Sequence, residues 1–303
     1  MGFRNTKEYV EACESGNNWI TQFRKIVPSI NAGRYDISAG TGSYPANYFA
    51  SSPLVAAHMP YNGGIRIQPT GKRNYIKEIT MMIATSATNT ACDGASVIFY
   101  DYLMYYPFID LTSIDLQEFE NPVTLPRYAD GEGVRLIGIM QAPNGNYNTS
   151  TMTINYTNSK GVPKTVDIAL HYATYNTFST LNGIIQASGA SNMGGYGYVP
   201  LANGDTGIRS IQSIKLSQDW GGLLCLVLAK PLVNMGNING CRRTTTGALD
   251  SFGAPVQKTN LIHSVDNVWV EDGAYITPVI RFPANGAAFS TVVGTIETVW
   301  DKE

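Results

Sequence analysis

The chain has 303 residues, 44% apolar and only 15% charged, with a formal net charge of -2. At this length about three-quarters of the unfolded surface can be buried, enough for a self-sufficient core. The near-neutral balance and the lack of any Lys/Arg run argue against nucleic-acid binding driven by counterion release, and no apolar stretch approaches the roughly eighteen residues of a membrane-spanning helix.

The N-terminal segment differs from the rest of the chain. Asn5, with Glu8 three residues on, resembles a capping box, and Tyr9, Val10 and Cys13 begin an apolar stripe at helical spacing. Gly16 and Asn17 interrupt it, and a second helical piece is expected to hold Trp19, Ile20, Phe23 and Ile26 before Pro28 stops it. Two readings of this arm stand: a helix packed on the sheet, or a segment reaching a neighbouring subunit. Residues Met1 to Thr6 have no apolar run behind them, which predicts a soluble product made in the cytosol.

From Gly33 to Pro60 the pattern is irregular, an extended loop with short strands. Tyr75 to Ile83 then alternates in part with a period of two. The stretch Ser96 to Asp110, SVIFYDYLMYYPFID, is the densest β-branched and aromatic run and predicts the central strand, with Pro107 ending its regular pairing. Further strands are expected at Val134 to Met140, Thr151 to Thr157, Val166 to Thr177, Ile208 to Leu216, Leu223 to Leu228, Leu261 to Trp269, Tyr275 to Phe282 and Ala288 to Trp300. Asn234 to Val256 reads as a long polar insertion containing Cys241, Arg242 and Arg243. Short runs separated by turn dipeptides about every ten residues mark a mainly β chain. The expected fold is an antiparallel β-sandwich, jelly-roll-like, over residues 33–303, with a short α-helical N-terminal arm over residues 1–32.

A local echo joins Pro126 to Arg135 (PRYADGEGVR) and Pro200 to Arg209 (PLANGDTGIR). Turn chemistry used twice explains it more simply than duplication. Duplication would require Arg135 and Arg209 to occupy superposable sites.

Chemistry is sparse. His58, His171 and His263 fall one to a region, and no Gly-x-Ser-x-Gly elbow, HExxH pair or phosphate-binding glycine loop occurs. Asp110, Asp115, Glu118 and Glu120, and later Asp266, Glu271 and Asp272, read first as solvated loop charges. Paired acids of a glycan-cleaving module are the alternative, with Asp110 and Asp115 the first to test. Cys13, Cys92, Cys225 and Cys241 match no metal-ligand spacing and read as free buried thiols. No catalytic, cofactor-binding or metal-binding residue is assigned, and no enzymatic activity is expected.

The phrases YDYLMYYPFID, NPVTLPRYADGEGVRL, VPLANGDTGIRSIQSI and EDGAYI resemble a family of head-associated virion structural proteins of tailed bacteriophages, over about Tyr44 to the C-terminus. The resemblance implies a non-enzymatic particle component, made in the host cytoplasm and located in the virion. The role expected is a capsid decoration or cement protein contacting the major capsid protein; a shell, neck or tail subunit and a carbohydrate-binding or glycan-cleaving tail module are the alternatives. Eighteen tyrosines and few charges suit broad protein contacts. Closed symmetry then favours a homo-oligomer, in first place a trimer. Candidate interface residues are Trp19, Phe23, Tyr105, Tyr106, Phe108, Tyr196, Tyr198, Arg242 and Arg243.

Overall fold

Asn5 opens the first element, its side chain accepting the Glu8 N–H at 3.0 Å while Glu8 accepts the Arg4 N–H at 2.7 Å. The computed structural model describes residues 3–25, 33–38, 51–59, 64–88, 95–142, 149–170, 183–185, 198–238, 241–243, 249–251, 256–259, 269–282 and 289–300. Helix α1 (Thr6–Glu14) ends at Ser15, and Gly16 turns the chain with φ +76°.

Everything else regular among the described residues is strand. In chain order these are β1 (Asn18–Lys25), β2 (Gly33–Asp36), β3 (Ala57–His58), β4 (Asn74–Thr88), β5 (Ala95–Asp110), β6 (Gln117–Glu118), β7 (Arg135–Ala142), β8 (Ser150–Asn158) and β9 (Pro163–Leu170). They continue with β10 (Ile208–Leu216), β11 (Leu223–Ile238), β12 (Cys241–Arg243), β13 (Leu249–Ser251), β14 (Val256–Thr259), β15 (Trp269–Val270), β16 (Ile276–Phe282) and β17 (Phe289–Trp300). Among the described residues these strands pair antiparallel except β12 with β4, and an isolated bridge between Val55 and Glu120 is also parallel.

Three sheets result. The central one runs β2-β16-β5-β11-β7, with β3 also on β5. A second runs β1-β17-β4-β12-β13, with β14 and β15 on β4, and a third β6-β10-β8-β9. The stretch read as the central strand is β5, in the middle of the central sheet. One face of that sheet packs both others. Val97 and Phe99 of β5 and Val233 and Met235 of β11 join Ile79, Met81, Val292 and Ile296 of the second sheet. Farther along the same strands, Met104, Tyr106, Leu226 and Leu228 meet Ile154, Ile168, Ile211 and Ile214 of the third. Two sandwiches thus share one sheet. The face stays constant because bulges between Met104 and Tyr102 on β5, and between Pro231 and Val233 on β11, reset the alternation.

The opposite face of the central sheet curls on itself. Residues 183–185 bond to both of its edge strands: Ile184 N–H donates to Arg34 C=O at 3.0 Å, Ile185 N–H to Gly138 C=O at 2.9 Å, and Met140 N–H to Gly183 C=O at 2.8 Å. The sheet therefore closes into a small barrel, lined by Tyr100, Tyr102, Tyr105, Ile137, Val227 and Tyr275.

Several expectations change. Residues 18–25 are a strand, not a helical piece: Trp19 and Phe23 satisfy a period of two as well as a period of four. Pairing with β17 buries Phe23 and Lys25 while Gln22 and Arg24 stay out. Pro107 does not end β5. Phe108 takes φ +58° in a bulge, the Gln141 side chain accepts its N–H at 2.6 Å, and the strand continues to Asp110. Leu223 to Leu228 is only the first part of a strand that runs to Ile238, because the bulge beyond Pro231 absorbs the missing donor. Much of the insertion expected at 234–256 is sheet, in β11, β12 and β13.

Candidate functional site

The barrel closure brings one set of strand ends together. Arg34, near the start of β2, stands directly opposite Arg281, near the end of β16, and Arg281 stands opposite Ser96 at the start of β5. These residues point to the barrel side, since Val279, two positions before Arg281, packs in the barrel interior. At the same end Arg135, the first residue of β7, holds its guanidinium 5.7 Å from the Tyr198 ring centroid and donates to the Thr206 carbonyl at 2.6 Å. Burial, reinforced by the charge of Arg281, brings the Arg34 guanidinium down to about 10, with Tyr100 and Tyr198 acting the other way. Just below, Tyr100 is fully buried, and its hydroxyl has no hydrogen-bond partner among the described residues.

Deeper in, polar groups are satisfied internally. Tyr102 and Tyr275 stack with centroids 6.1 Å apart, and the Tyr102 hydroxyl donates to Asp36 at 3.3 Å. Ser38 gives its N–H (3.0 Å) and its hydroxyl to the same carboxylate, which burial pushes above the usual carboxyl range. Lys25 from β1 donates to Ser38 C=O at 2.8 Å, and burial lowers its ammonium to about 8. This cluster ties the rim of the second sheet to the edge of the barrel.

A second polar group sits outside the barrel, between the two sandwich cores. Asp101 of β5 is fully buried and receives both forks of Arg127, Nε to Oδ2 at 2.9 Å and Nη2 to Oδ1 at 2.6 Å, and the Tyr275 N–H at 2.9 Å. Lys230, opposite Asp101 on β11, donates to the Glu132 carbonyl at 2.8 Å. Here the two echo segments face each other. Glu132 bridges Gly207, Arg135 donates to Thr206 C=O, and Arg209 donates to Asp130 C=O at 3.0 Å. Each arginine thus grips the main chain of the other segment, clasping the barrel sheet to the third sheet.

The residues singled out as interface candidates scatter. Trp19 lies on the edge strand β1, 46% exposed beside Ile20 at 56%, whereas Phe23 on the same strand is core. Tyr105 lines the barrel, and Tyr106 is fully buried, its hydroxyl donating to Asn121 Oδ1 at 2.7 Å and accepting the Ile211 N–H at 3.0 Å. Both fill this chain's own core. Tyr106→Phe should therefore cost roughly 1–3 kcal/mol in urea unfolding, because Ile211 loses its buried acceptor; an unchanged midpoint would show that another group takes over. Phe108 is half-buried at its bulge, and Tyr198 is half-buried at the barrel mouth. Arg242 and Arg243 belong to β12, paired with β13 and β4, while Tyr196 lies outside the described residues. Asp110 caps a turn, accepting the Thr112 N–H at 2.8 Å and hydroxyl at 2.7 Å, and Asp115 is an exposed loop residue. Cys225 is a buried free thiol, and Cys13 is free and half-buried.

Sequence reasoning missed Asp101, Arg127 and the arginines of the barrel mouth. A visible signal existed for the first: an aspartate inside SVIFYDYLMYYPF must find a cation if the run is buried. No family model and no curated protein matches the chain. Among solved structures, infectious bursal disease virus Gt strain aligns at 10% identity over 94% of this chain and 80% of that one, with a TM-score of 0.19. The infectious bursal disease virus VP2 subviral particle aligns at 10% over 93% and 79%, with a TM-score of 0.18. Overlaps this weak establish no common architecture.

Proposed function

We propose that the chain is a non-enzymatic structural component of a phage particle, a capsid decoration protein that stabilises the shell through contacts with the major capsid protein and with copies of itself in a trimer. The observation that carries this reading is the edge of β1. It pairs with β17 on one side and, among the described residues, with no strand on the other. It presents Trp19 and Ile20 to solvent. An edge strand bearing large apolar side chains is a pairing surface that a solitary protein would blunt with charge or proline. The sparse charge of the chain and its resemblance to phage head proteins support the same reading.

Particles assembled with and without the protein, then challenged by heat or low salt, test the role directly, and sedimentation tests the oligomer. Ile20→Lys places a charge on the exposed edge without touching the core, so the melting temperature should hold while retention on shells falls about tenfold or more. A chain that stays monomeric at micromolar concentration and binds no shell would end the reading.

A further inference from the structure

We infer that the mouth of the central barrel is an oxyanion-binding site built from Arg34, Arg281 and the Tyr100 hydroxyl, with Arg135 and Tyr198 on its rim. Such a site is independent of the virion role. Like charges placed directly opposite on neighbouring strands repel one another, and Arg34 and Arg281 hold that position in the β2–β16 ladder. Both are half-buried, where screening by water is weaker than at an open surface. Among the described residues the Arg281 side chain makes no hydrogen bond or ion pair. A phosphate- or carboxylate-type group between the two guanidinium planes converts the repulsion into paired, charge-assisted hydrogen bonds, the geometry for which arginine is best shaped.

Tyr100 supplies the second, independent sign. Its side chain is wholly buried, its hydroxyl lacks a partner among the described residues, and it lies within electrostatic reach of Arg34 and Tyr198. A buried hydroxyl without a partner is costly. An oxyanion seated between the arginines gives it an acceptor. Arg135 commits one bond to Thr206 and leans over Tyr198, so the rim adds a third positive charge. Barrel mouths are common seats for small ligands.

The test is a thermal-shift and calorimetric titration of the full chain with inorganic phosphate, against sodium chloride at matched ionic strength. Phosphate should raise the melting temperature where chloride does not. Arg281→Gln should weaken binding about tenfold or more, as expected for loss of a charge-assisted pair. Tyr100→Phe removes only the hydroxyl and should weaken it several-fold, which keeps the test open if the arginine variant fails to fold. An acetate arm identifies the source: acetate matching phosphate points to an acidic side chain as the natural occupant, and phosphate alone points to a phosphate group. No phosphate-specific shift, or the same shift in Arg281→Gln and Tyr100→Phe, overturns the site.

Discussion

Arg127→Ala should lower the unfolding free energy by about 3–5 kcal/mol, the cost of stranding a buried carboxylate. Asp101 is sealed from solvent, and Arg127 supplies two of the donors it receives. The Tyr275 N–H that remains cannot neutralise it. Asp101 also sits on β5 between the residues that serve one sandwich core and those that serve the other, so solvating it means parting the two cores. Urea unfolding gives the number, and the double variant Asp101→Asn, Arg127→Met separates pairing from burial. The double change should cost less than Arg127→Ala alone, since no unpaired charge remains. A loss under about 1 kcal/mol for Arg127→Ala would mean that water reaches the carboxylate after all.

Gly207→Ala should be nearly as damaging, about 2–3 kcal/mol, by a different route. A methyl group there would land on the Gly131 carbonyl oxygen and close against the Gly133 nitrogen. Both are main-chain atoms, so no rotamer change relieves the clash. The two echo segments must then separate, loosening the Glu132–Gly207 bridge and the Gly133 N–H to Thr206 C=O bond of 3.1 Å. Gly204→Ala is the control: nothing lies within 4 Å of the added carbon, and its φ of +86° leaves only the backbone penalty of roughly 1 kcal/mol. Equal effects from the two substitutions would show that the clasp contributes little.

Much of the architecture was legible in the residues, because period-two patterns and turn dipeptides report strands wherever one face is buried. SVIFYDYLMYYPFID announced the centre, and Asn5 with Glu8 announced the helix. Other features were hidden because they depend on partners distant in the chain. Residues 18–25 carry apolar positions that fit either period, and only β17, some 270 residues away, decides for strand. Lys230, Pro231 and Asn234 look like an end to β11, yet a bulge beside β5 carries the ladder past them. The candidate site was less visible still. Arg34 and Arg281 are 247 positions apart (281 − 34) and become neighbours only in the β2–β16 ladder. The tyrosines misled in a specific way: their abundance suggested an outer contact surface, whereas Tyr100, Tyr102, Tyr106 and Tyr275 pack inside.

The pairing of β1 with β17 bears on biogenesis. Residues 18–25 leave the ribosome well before their only described ladder partner, 292–299, is made. Until residues 289–300 have been made, β4 also lacks its main neighbour in that sheet. The nascent chain therefore carries two sticky, unmated ribbons until β17 is made, a window for misassociation that non-local β pairing imposes. Deleting β17 should accordingly give insoluble product rather than a shortened but folded protein.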